Sequence, residues 1–242
     1  MNFYRGLRPF VVQYHGYYDA FDDKGGQEDN DNPDKKPKKY QRLKLENLLY
    51  KEMNKDPYSY LDLKMGTDTV LRSPTSSSYQ KFVKRDHDTT SAMYGFRLIG
   101  YNLYSKSDGK PFVSEHIVEE YDKTGSYDFV KYVFTQMLTD YEGRKAPHAV
   151  FDLLLEKITA LKEFLGTIQG SRRLVNSSLF MLFDKELFTR INNGEKIEGG
   201  VEFKMIDIGE MRQLEEHQTH DIGYLKGLEE LIKLLNYIKL TD

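Results

Sequence analysis

Two side chains of opposite charge, Asp62 and Lys64, stand two residues apart in the stretch D-P-Y-S-Y-L-D-L-K-M-G-T, residues 56–67. In a strand, successive side chains point to opposite faces, so Asp62 and Lys64 share one face while Leu61, Leu63 and Met65 share the other. Gly66 then permits a sharp exit. A carboxylate and an ammonium side by side at the mouth of a strand suit phosphoryl transfer. The acid orients an attacking hydroxyl, and the cation neutralises the moving phosphoryl. The same spacing also fits a plain surface ion pair, so the elements around it must decide.

A second charged constellation follows. Ser73 to Ser78 reads as a loop whose serines cap a helix over Tyr79 to Asp88. On that helix Lys81, Lys84 and Arg85 fall at spacings of three and four and share a face, an anion cradle or a solvated basic face. A third feature is Asp207, an acid closing the largely apolar run V-E-F-K-M-I-D-I (201–208). A charge there is costly unless paired or holding a cation.

The remaining pattern supplies a scaffold for these groups. Pro9 to Tyr18 and Tyr40 to Leu49 read as strands, separated by a polar, looped or disordered insert at 24–39. Gly95 to Val118 reads as a hairpin turning at Ser107-Asp108-Gly109. Asp128 to Thr139 and Pro147 to Ile168 carry apolar stripes at helical spacing. Asn176 to Asp184 and Val201 to Ile208 pair as a second hairpin through a Gly/Asn-rich connection, and Asp221 to Ile238 closes the chain as a helix. At 242 residues, 39% hydrophobic and 30% charged, the composition is that of a globular chain with polar inserts. No apolar run approaches the ~18 residues of a membrane span, and the first residues lack a secretory signal's apolar core. The absence of cysteine points to a reducing compartment, cytoplasmic or nuclear. A net charge of −3 argues against a nucleic-acid partner.

In order along the chain, six motifs resemble those of the inositol polyphosphate kinase family, most of all its inositol hexakisphosphate kinase branch. They are L-E-N-L (45–48), L-D-L-K-M-G-T (61–67), T-S-A-x-x-G-F-R-L-x-G (90–100), S-S-L-F-M-L-F-D (177–184), M-I-D (205–207) and H-D-I-G-Y-L-K-G-L (220–228). The resemblance implies an α+β, two-lobed kinase-like fold, related to the protein-kinase and ATP-grasp architecture, with its N-terminal lobe incomplete. Residues 1–50 would form the partial lobe and hinge, and 51–242 the C-terminal lobe. It implies ATP as co-substrate with Mg²⁺, an inositol polyphosphate as acceptor and a monomer as the working state. By the same resemblance, Glu46, Asn47 and Leu48 contact the nucleotide, and Asn47 replaces the family's usual ribose-binding acid. Asp62 acts on the acceptor hydroxyl and Lys64 on phosphate. Asp207 binds both nucleotide and metal, with Ser178 beside it, and Lys81, Lys84 and Arg85 grip the inositol phosphates.

The chain departs from the family at three places. Tyr58 stands where the family has a proline, with Pro57 one position earlier; Ile208 and Gly209 follow the metal aspartate, where Phe is usual. The family's upstream strands, with a lysine that contacts ATP, have no counterpart ahead of Phe3-Tyr4. Two expectations therefore stay open: an active kinase, or an inositol phosphate-binding module with a weakened grip on ATP. A kinase-like enzyme with a protein or lipid acceptor is a third, disfavoured because no His-Arg-Asp loop is found.

Overall fold

A computed structural model of the chain describes residues 3–21, 39–48, 58–69, 79–104, 111–116, 126–167, 172–196, 198–208, 211–214 and 218–241. Of the insert expected at 24–39, all but Lys39, which opens a strand, lies outside these, as do the Ser73–Ser78 loop, the turn at 107–109 and Gly209. The chain divides into two compact units, one of residues Val12–Met53 and one of Met1–Val11 with Asn54–Asp242.

The smaller unit holds an antiparallel ribbon of β1 (Tyr14–Phe21) and β2 (Lys39–Leu45). It starts five residues later than the run from Pro9 predicts. The chain before it forms a short helix α1 (Phe3–Leu7) and a 3₁₀ turn (Arg8–Phe10) because Pro9 supplies a fixed φ and no N–H.

The larger unit is built on a five-stranded sheet. Its strands are β3 (Ser59–Met65), β4 (Phe96–Tyr104), β5 (Pro111–His116), β7 (Ser178–Phe183) and β8 (Val201–Ile206), in the order β5-β4-β3-β7-β8, and all neighbours are antiparallel. β3, carrying Asp62 and Lys64, is central. Alternation sorts the sheet into two unlike faces. On one, Leu61, Leu63, Met65, Phe96, Leu98, Leu179, Met181, Phe183, Phe203 and Met205 are buried in one apolar core. Helices α4 (Tyr127–Met137), α5 (His148–Thr167) and α7 (Ile222–Leu240) contribute their stripes to it, among them Phe134, Phe151, Leu154, Leu228 and Leu231. The other face carries Asp62, Lys64, Arg97, Ser178 and Lys204.

Beyond α1 and the 3₁₀ turn, four further elements of this unit escaped the sequence reading. A five-residue helix α3 (Thr90–Tyr94) follows α2 (Tyr79–Asp88), restarted by Thr89, whose hydroxyl accepts the Ser91 N–H. The connection between β7 and β8 contains α6 (Lys185–Asn192), capped by Asp184 through the Leu187 N–H. Two three-residue strands, β6 (Arg172–Leu174) and β9 (Met211–Gln213), pair with each other. They are too short to show a period.

Candidate active site

β3 sets the site. Lys64 lies directly opposite Arg97 on β4 and Ser178 on β7, and Asp62 opposite Phe180. Opposed residues of paired strands project to the same face. Lys64 is buried, and its ammonium donates to the Asn176 carbonyl at 2.8 Å and to Asp207 Oδ2 at 3.2 Å. Asp207 ends β8 just past Ile206, which pairs with Ser178, and its carboxylate is 60% exposed. Lys64 and Asp207, 143 residues apart in the chain, are therefore one ion pair.

Both groups that receive Lys64 have unusual backbones. Among the described residues, Asn176 (φ 57°) and Asp207 (φ 55°) are the two non-glycine residues with positive φ. Asn and Asp tolerate this region better than most, yet it costs energy and persists where surrounding structure imposes it. Here that structure is visible. Met65 N–H bonds the Ser177 carbonyl at 3.0 Å, Gly66 N–H bonds the Gly95 carbonyl at 2.8 Å, and Asp221 at the head of α7 accepts the Leu174 N–H at 2.8 Å. Burial pushes the Asp221 carboxyl up, against the backbone N–H groups of Leu174, Tyr224 and Gly223 and the charge of Arg173. The turn into β7 is thus held from β3 and from α7, and it aims the Asn176 carbonyl at Lys64. Asn176 was not anticipated; an Asn before an apolar strand was the signal.

The basic helix forms over the expected residues. α2 turns Tyr79, Phe82, Val83 and Asp86 inward, at spacings of three and four. Lys81 and Lys84 are exposed on the other side, and Arg85 is half-buried with its guanidinium over the Phe82 ring. No described contact joins these cations to Lys64. The helix instead reaches the site's face through Asp86, which pairs with Arg97 beside Lys64.

Glu46, Asn47 and Leu48 follow β2 in the smaller unit. The Glu46 N–H donates to the Gln13 carbonyl and its carboxylate accepts the Gln13 N–H, so that N–H is already spent within the ribbon. Ser178 Oγ is wholly buried and has no hydrogen-bond partner. Past the end of β3 lies a cavity of about 380 Å³, lined by Thr67, Asp68, Arg173, Asp221, Gly223 and Lys226 among others.

The α+β arrangement is shared with solved inositol phosphate multikinases. One, "Inositol Phosphate Multikinase Ipk2 in complex with ADP and Mn2+ from S. cerevisiae", superposes with a TM-score of 0.64 at 17% identity over 96% of this chain and 89% of its own. A second inositol phosphate multikinase gives 0.61 at 21% identity over 81% of this chain and 85% of its own. The inositol polyphosphate kinase family model matches residues 42–236, and the chain belongs to that family. Among its relatives are "Inositol hexakisphosphate kinase 3" of Mus musculus, 28% identical over 84% of this chain and 52% of the relative, and "Inositol polyphosphate multikinase beta" of Arabidopsis thaliana, 21% identical over 74% and 62%. The chain spans about half the length of the hexakisphosphate kinases it matches.

Proposed function

We propose that this chain transfers the γ-phosphoryl group of ATP to an inositol polyphosphate. The observation that carries the reading is the Lys64 ammonium held between the Asn176 carbonyl and the Asp207 carboxylate. A cation fixed in a buried place needs no reorganisation when negative charge moves past it, which is what stabilises a phosphoryl-transfer transition state. In this reading Asp62, on the same strand face, accepts the proton of an attacking hydroxyl, and Lys81, Lys84 and Arg85 supply positive charge for the acceptor's other phosphates.

A divalent cation fits the same place. Asp207 offers an open carboxylate, and the Ser178 hydroxyl beside Lys64 is enclosed with no partner. Mg²⁺ takes one or two carboxylates and fills its shell from nucleotide phosphates and water, a demand that the exposed Asp207 carboxylate can meet. When bound it would neutralise charge on those phosphates.

The finer reading is a hexakisphosphate kinase, whose acceptor is a phosphate and whose product is a pyrophosphate. Incubating the chain with Mg²⁺, ATP and a series of inositol phosphates, and resolving the products, tests it. A phosphorylated inositol product supports the reading; tight binding of inositol phosphates with no product favours the binding module; the absence of both binding and product overturns both. Among the described residues no helix is long and apolar enough to cross a membrane.

A further inference from the structure

We propose that Asp86 is a positioning residue for the acceptor, fixing the angle at which α2, anchored at the rung of Lys64, presents its cations. This rests on the phosphotransfer reading above. The observation is a buried polar knot that joins four elements. Asp86 Oδ2 accepts the Thr69 N–H at 2.6 Å, and its Oδ1 accepts the Thr69 hydroxyl at 2.7 Å and Arg97 Nη1 at 2.5 Å. The same Arg97 nitrogen donates to Thr69 Oγ1 at 3.1 Å and to Ser91 Oγ at 2.9 Å. Asp86, Arg97, Thr69 and Ser91 are all 5% exposed or less.

Its placement gives the knot a consequence. Arg97 stands directly across from Lys64 on the neighbouring strand, so the knot grows from the rung that carries the phosphate-binding cation. Thr69 lies three residues past Gly66, at the exit of β3, and Ser91 lies in the first turn of α3. On α2 itself, Asp86 belongs to the inward stripe with Tyr79, Phe82 and Val83, roughly opposite Lys81 and Lys84 at ~100° per residue, with Arg85 at the margin of the stripe. The other three members of that stripe are only partly buried. An apolar contact of that kind resists rotation of a helix weakly, whereas a carboxylate taking three directed bonds defines one orientation. A buried ion pair contributes little net stability over an apolar replacement, and its best-attested use is to specify one arrangement. Thus Asp86 sets the direction of positive charge without touching the acceptor.

The test uses the full chain with Mg²⁺-ATP and inositol hexakisphosphate. Asp86→Asn keeps the volume but turns one acceptor atom into a donor facing Thr69 or Arg97. The KM for inositol hexakisphosphate is expected to rise about tenfold while the KM for ATP stays within about twofold, with Asp86→Glu recovering part of the loss. A lower melting temperature with both KM values unchanged, or both moved equally, overturns the proposal and leaves Asp86 a structural residue only. If the Asn variant does not fold, Thr69→Val removes one bond to Asp86 and one to Arg97 at nearly constant volume, and the same split between the two KM values decides. A wild-type chain that neither binds nor phosphorylates any inositol phosphate overturns the functional reading and this proposal together. A wild-type chain that turns over beside an unshifted variant overturns this proposal alone.

Discussion

Asp62 and Lys64 meet different neighbours, and under the phosphotransfer proposal they would do different work. Lys64 is sequestered and bonded on two sides, so its charge is fixed in place. Asp62 is half-buried on the same face and one rung away. Its task depends on what is phosphorylated. A hydroxyl must lose its proton as it attacks, and a positioned base contributes ~10²–10⁴-fold to that step. A phosphate monoester, with a second pKa near ~6, is already largely deprotonated at pH 7 and has no proton to give up. Asp62→Asn should therefore cut kcat by about 10²–10⁴-fold on a free hydroxyl and by less than about tenfold on a phosphate acceptor. Rates of the variant on a lower inositol phosphate and on the hexakisphosphate check this; equal losses on both would show that Asp62 is not a base. The shared face of Asp62 and Lys64 was legible in the sequence, since period two alone dictates it. The partnership of Lys64 with Asn176 was not, because a backbone carbonyl leaves no trace in side-chain pattern.

At the scale of elements, the amphipathic helices and the long strands were legible because burial on one face enforces a period. α2 forms over the residues expected, and α7 begins one residue past its Asp221 cap. α6 was hidden because its eight residues sit inside a Gly/Asn-rich connection and its inward positions include a lysine. Lys185 is buried at the first position of that helix, and burial pushes its ammonium down to about 8, partly countered by the Asp140 carboxylate. The unfolded chain keeps that proton up to the ordinary 10.5, so between those values it binds more protons than the folded chain and stability rises with pH. Below about 8 the folded state carries the whole cost of a buried charge, about 3 kcal/mol. Lys185→Met should raise the melting temperature at pH 7 and flatten the rise in stability between about pH 8 and 10.5. Urea unfolding at several pH values measures both. A variant less stable at pH 7 would mean that the ammonium's attraction to Asp140 outweighs its burial.

On the scale of the whole larger unit, one sheet separates two kinds of surface. Its apolar face is packed by α4, α5 and α7, and its polar face is left to Lys64, Arg97, Ser178 and Asp207. The fit of α7 against the head of β4 is close: a Cβ on Gly227 would lie 2.2 Å from the Gly95 carbonyl oxygen, and Gly95 itself adopts φ 71°. That contact explains two motif glycines by space and backbone, and it anchors the helix whose Asp221 holds the turn ahead of Asn176. The fold class was legible from the sequence because its motifs recur in order. The pairing of Lys64 with Asp207 was not, since it depends on β3 and β8 lying on either side of β7. The central claim is that this assembled pair handles a phosphoryl group. Lys64→Met tests it most directly, since it keeps most of the side chain's apolar stem and removes the ammonium with its two hydrogen bonds. Asp207 is largely exposed, so losing its partner should cost no more than about 1 kcal/mol of stability, and the Asn176 carbonyl left without its donor about 1–3 kcal/mol. Transfer of labelled γ-phosphoryl from ATP to inositol phosphates should fall by about 10²–10³-fold with the fold intact by thermal melt. Transfer at the wild-type rate in the folded Lys64→Met variant would contradict the account.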